Sequence, residues 1–297
     1  SLTATEEFNT GVAVGAWSTG GNLNTAKKGL AGAGTQTAGL AFGGNPVTAN
    51  TEKYNGTTWT EVNNLNTARR QLAGCGTQTA ALAFAGEAPP FTTATELWNG
   101  TNWANVNSMN AARDFLAGAG TSTSALAFGG EGSPPLTAAT ELWNGTNWTA
   151  VNNMNAATKR LAGAGASNTA ALAIGGAEPP GAPTTAATEL WNGTNWTEVN
   201  DLNTAKSTLG GTGTTTAALA IGGNAPTTSN QTELWNGTNW TSVNTLNLAR
   251  TDMGAAGTTT AALAFGGQQA EFPTNYSDTA ATEEWTNPGT ITKTLTT

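Results

Sequence analysis

The sequence predicts an all-β protein, a six-bladed β-propeller of four-stranded antiparallel blades in a single domain over residues 1–297. Three observations predict it. A Thr-Glu pair returns at Thr5, Thr51, Thr95, Thr140, Thr188, Thr232 and Thr282, 44 to 50 residues apart. Between these pairs lie six copies of a unit rich in small and apolar residues, among them LAGAGTQTAGLAFGG from Leu30 and LGGTGTTTAALAIGG from Leu209. An aromatic residue follows each pair, and in most copies an Asn-Gly and a Trp come next, as in TELWNGTNW from Thr188. A period of about 40–50 residues with four short strand-like runs matches a propeller blade.

The unit from Leu202 to Val243 shows each element. Strand a is LGGTG from Leu209, and its small residues suit the crowded axis, where blade edges converge. Strand b is AALAI from Ala217, an apolar run ending in Gly222-Gly223; strand c is TELW from Thr232 and strand d is NWTSV from Asn239. Runs this short, bounded by Gly, Asn, Thr and Pro, read as strands. Asn-Gly tolerates φ > 0 at both central positions, so Asn192-Gly193 is expected to form a tight turn between strands c and d. The repeated Trp are expected to wedge between neighbouring blades.

Six a–b units stand against seven c–d units, and an open ring would expose sheet edges. The last a–b unit, Met253 to Gly267, is therefore expected to share its blade with segments around Trp17 and Trp285. Residues 1–18 and 282–297 then supply terminal c–d strands for ring closure. One terminal c–d unit is partly surplus, and could pad the outside or join a neighbouring subunit. Seven blades is the alternative, but it lacks one a–b pair.

Composition narrows the function. Charged residues are only 10% of the chain and eleven Trp supply large apolar surfaces, which argues for order. A net charge of −8 repels phosphate backbones, and the only adjacent basic pairs are Lys27-Lys28, Arg69-Arg70 and Lys159-Arg160, so no nucleic-acid partner is expected. No apolar run approaches the ~20 residues that cross a bilayer, so membrane insertion is not expected either. The opening SLTATEEFNT lacks the basic and apolar regions of a signal peptide. Cys75 excludes an internal disulfide and fills a slot held elsewhere by Ala33, Ala119 and Ala164, as a small apolar residue would.

Four features recur in fixed order: a basic residue before strand a, a diglycine closing strand b, an aromatic in strand c and a Trp in strand d. Arg69, Gly43-Gly44, Tyr54 and Trp59 hold those slots, with departures at Ala85-Gly86, Thr158 and Ile291. This order resembles kelch repeats. The wording TARxxLAGAGTQTAALAFGG…TExWNGxxW is similar to the kelch-like repeats of structural proteins of marine bacteriophages. That resemblance implies a role on the virion surface, as a capsid or tail decoration or an adhesin.

Catalysis is not expected. Without His there is no Ser-His-Asp or Cys-His pair and no imidazole metal ligand. Asp114, Asp201, Asp252 and Asp278 form no calcium-loop pattern, and no cofactor is expected. The Gly-rich LAGAGTQTA recurs with no helix after it, unlike a phosphate-cradling loop. The recurring strand-c carboxylates, Glu52, Glu96 and Glu233 among them, are expected to brace each blade against basic residues ahead of strand a such as Arg69, Arg113 and Arg250; a charged ring that binds a ligand is the alternative.

The links between strands b and c vary most, and strand alternation places all of them on one rim. Glu87, Phe91, Glu131, Glu178, Glu271, Phe272 and Tyr276 in those links are the candidate ligand-binding residues. The expected function is a non-catalytic virion structural or adhesion protein whose rim loops contact other virion proteins or a host surface glycan or receptor, and which could oligomerise. A secreted, extracellular bacterial propeller that binds carbohydrate or protein is the alternative. A glycan-acting enzyme with two converging rim carboxylates comes third.

Overall fold

The computed structural model describes residues 15–132, 136–178, 183–271 and 275–287. They form six four-stranded antiparallel sheets arranged as a β-propeller, with no helix among the described residues. Blade 1 consists of Ala31–Thr35, Ala38–Phe42, Thr51–Tyr54 and Trp59–Val62, strands a to d in order. Blades 2 to 5 repeat this arrangement from Ala73, Ala117, Ala162 and Gly210. Blade 6 joins Gly254–Gly257, Ala261–Phe265 and Thr282–Thr286 to Ala16–Thr19, which is its strand d and sets Trp17 opposite Trp285. The ring therefore closes with six blades by the expected route, not seven. Thr5, Glu6 and Ile291, in the remaining terminal segments, lie outside the described residues.

Two rings of side-chain contacts hold the propeller, the first between neighbouring blades and the second within each blade. Each strand-d Trp donates its Nε1 proton to the strand-c Thr of the preceding blade, as Trp103 does to Thr51 and Trp148 to Thr95, both at 3.0 Å. The same bond recurs from Trp196 to Thr140, Trp240 to Thr188, Trp17 to Thr232 and Trp59 to Thr282. This explains the Thr of the repeated Thr-Glu pair: it satisfies an indole N–H that would otherwise be buried without a partner. The indoles also pack edge-on or tilted against strand-b Phe residues, with centroids 4.9 Å apart for Phe42–Trp103 and 5.0 Å for Phe84–Trp148.

The Glu of the pair forms the second ring of contacts. Arg69 meets Glu96 at 3.1 Å, Arg113 meets Glu141 at 3.3 Å and Arg250 meets Glu283 at 3.2 Å, while Lys27–Glu52 and Lys206–Glu233 do the same at 3.0 Å. All are buried. The carboxylate also receives the Asn of the link ahead of strand a, as in Asn66 to Glu96 through its backbone N–H at 2.6 Å and its amide at 3.0 Å. Thr158 replaces the cation in blade 4, where Glu189 keeps the Asn155 and Ala156 donors; burial pushes its carboxyl up from the usual range.

The turn between strands c and d differs from expectation. Gly193 has a positive φ of 94°, but Asn192 does not. The loop has four residues, and the Asn192 side-chain oxygen accepts the backbone N–H groups of Thr194 and Asn195, both at 2.9 Å. Asn acts here through its side chain, as an Asx turn, and only Gly needs the left-handed region.

Candidate functional site

The six variable links lie on one rim because each pairs with the residue leading into strand a. The pairs include Lys28 with Asn45, Arg70 with Glu87, Asp114 with Glu131 and Ser207 with Asn224. The next residue in each blade, Gly29, Gln71, Phe115, Arg160, Thr208 or Asp252, sits at the propeller axis. These six close a circle of backbone hydrogen bonds, each N–H donating to the carbonyl of the blade before: Gln71 to Gly29 at 2.7 Å, Arg160 to Phe115 at 2.9 Å, Gly29 to Asp252 at 2.8 Å. All six have left-handed φ, between 50° and 59°. Only glycine adopts that region freely; other residues lose roughly 1 kcal/mol each there. Five different side chains occupy a position where glycine would be more stable, beside a Leu or Met that scarcely varies. Departures of this kind concentrate where side chains have a task beyond the fold.

The residue after each of these is Leu30, Leu72, Leu116, Leu161, Leu209 or Met253, a buried apolar collar below the circle. Further down, the strand-a Gly and Ala residues line the channel. Cys75 is buried among them, and burial pushes its thiol up to about 12, so it is an inert filler rather than a nucleophile.

Above the circle opens a funnel of about 260 Å³, bounded by Phe115, Arg160, Asp252 and Tyr276 with amide and hydroxyl side chains between them. Around it most charges are paired. Arg70 holds Glu87 through two bonds of 2.8 and 3.0 Å, Lys159 holds Glu131 at 2.6 Å, and Lys28 faces Asp278 at 3.7 Å. Arg160 has no such partner; its guanidinium lies 4.6 Å over the Phe115 ring. Every other described Lys or Arg side chain has an acidic or carbonyl partner. Burial raises the Asp252 carboxyl, against the opposing bond from Thr251 at 3.1 Å.

Asp114 sits behind this rim, 3% exposed, with Oδ1 unpartnered. Burial, then Glu131 and Glu87, push its carboxyl up to about 7, while Lys159 and Arg160 pull it down. The folded protein then holds a proton that the unfolded chain has lost, so this contribution to stability is complete below about pH 4 and disappears as pH rises through about 7. Asp114→Asn should match the parent in unfolding free energy near pH 3.5 and exceed it near pH 8.5, by on the order of 2 kcal/mol after allowance for water reaching the rim. A difference that stays constant between those two pH values would count against this assignment.

Of the seven rim residues expected to bind, Tyr276 lines the funnel, 61% exposed. Glu87 and Glu131 are taken up by Arg70 and Lys159, so they do not converge as a free carboxylate pair. Phe91 is exposed beside Glu87, and Glu178 is half-buried, its backbone N–H bonded to Pro183; neither bounds the funnel. Glu271 belongs by its backbone to a rim hairpin opposite Asn275, and Phe272 lies outside the described residues. Gln71, Phe115, Arg160, Thr208 and Asp252 were not among the expected residues. Their signal is the two residues before the Leu or Met of strand a, which read KG, RQ, DF, KR, ST and TD while both flanks repeat. Among the described residues no group of three His, Cys, Asp or Glu side chains could hold a metal ion. No protein-family model matches the chain, and no curated protein is similar to it in sequence.

Proposed function

We propose that this protein is a non-catalytic binding propeller, a virion structural or adhesion protein that presents its variable rim to a host surface glycan or a neighbouring virion protein. The observation that carries the binding reading is the confinement of sequence variation to one end of a repetitive ring. Six nearly identical blades supply a rigid frame, and the side chains that differ surround one axial funnel. Rigid scaffolds with variable loops at one end commonly place recognition there. The virion setting follows from the resemblance of the repeats to kelch-like repeats of bacteriophage structural proteins.

Two measurements test the proposal together. The purified chain on an array of microbial surface glycans should retain at least one glycan without releasing reducing ends, and mass spectrometry of purified phage particles should recover its peptides. Turnover of a glycan would make the protein an enzyme. Recovery from culture medium but not from particles would make it a secreted binding protein.

A further inference from the structure

We infer that the axial funnel binds an acidic saccharide, with the carboxylate of a uronic acid unit seated on the Arg160 guanidinium. This rests on the reading of the rim as a binding surface. Arg160 lines the funnel, and its buried Nε has no acceptor. That Nε is closed off from solvent, so a ligand meets the two terminal nitrogens, which form a planar fork that matches a carboxylate with two parallel hydrogen bonds. Phe115 covers one face of that plane, which holds the group in place and leaves its edge for a ligand.

The surroundings explain why the anion should be part of a sugar. Gln71, Thr208, Asn224 and Thr228 bring amide and hydroxyl groups to the wall, suited to sugar hydroxyls, and Asp252 can accept further hydroxyl protons. Tyr276 offers an exposed aromatic face of the kind that packs on a pyranose ring. The funnel lies near the lower end of small-molecule pockets, which suits one or two sugar units better than a folded partner. The net charge of −8 does not oppose this locally. Glu87, Glu131 and Asp278 are already paired with Arg70, Lys159 and Lys28, while Asp252 and Asp114 feel the Arg160 charge without forming an ion pair with it, which leaves its guanidinium without a carboxylate in contact.

The test uses the full chain, with polygalacturonate oligomers as the acidic probe and dextran as the neutral one, in titration calorimetry. Binding of the acidic probe alone is expected, with affinity falling tenfold or more in Arg160→Gln and part of it kept in Arg160→Lys. Gln already occupies the equivalent left-handed position at Gln71, and Arg160 forms no ion pair, so Arg160→Gln forfeits mainly the stacking on Phe115 and should shift the melting temperature by only a few degrees. Equal binding of dextran, unchanged affinity in Arg160→Gln, or dextran sulfate binding as tightly as polygalacturonate would each overturn the inference. A neutral glycan retained on the array, with the acidic oligomers ignored, would overturn it and leave the adhesion reading standing.

Discussion

Glu96→Ala is expected to destabilise the protein by about 3–5 kcal/mol, the usual cost of stranding one member of a buried ion pair. Arg69 is fully buried, and without Glu96 its charge would face only the carbonyls of Ala94, Ala85 and Ala83, at 2.6, 3.3 and 3.4 Å. The same substitution removes the acceptor of the Asn66 backbone and amide N–H groups, so the link into blade 2 loses its anchor. Blade 4 supplies the internal comparison. Glu189 faces Thr158 instead of a cation, so Glu189→Ala strands no charge and should cost at least about 1 kcal/mol less. Denaturant unfolding of both variants checks this. Equal losses would mean that the hydrogen bonds to the link, not the ion pair, carry the effect.

Trp148→Ala should be of similar size, about 3–5 kcal/mol, because it opens a cavity between two blades that cannot close it without breaking the ring. The indole is 6% exposed, packs on Phe84 at 5.0 Å and on Trp143 at 5.4 Å, and donates to Thr95. Trp148→Phe keeps most of the apolar contact and loses the N–H, so it should cost markedly less than the alanine variant. Calorimetric melting separates the two. A Trp148→Ala variant that melts with Trp148→Phe would show that the neighbouring blades relax into the gap.

Both predictions concern residues whose role is legible in the sequence, and the reason is repetition. A strand, its partner strand and the turn between them lie within a few tens of residues, so the same local pattern appears six times and each copy corroborates the others. The turn chemistry is less legible. The pair Asn192-Gly193 is compatible with two loop geometries, and the four-residue one is set by where strands c and d stop pairing, at Trp191 and Trp196. The residues that line the funnel are least legible. Length and composition draw attention to the b–c links, whereas the funnel is built largely from single residues ahead of strand a. Each of those is unremarkable in its own blade.

Blade count, strand order and the exchange of strands between the two ends are contained in the spacing of the repeats, because hydrogen-bonded sheets impose a local period on any chain that forms them. Which side chains meet is decided only when the ring closes. Gly29 then reaches Asp252, Trp17 reaches Thr232, and Phe115 comes to lie under Arg160. Contacts between blades join residues at fixed angular positions around the axis, and a one-dimensional pattern of near-identical units cannot distinguish one of those meetings from another.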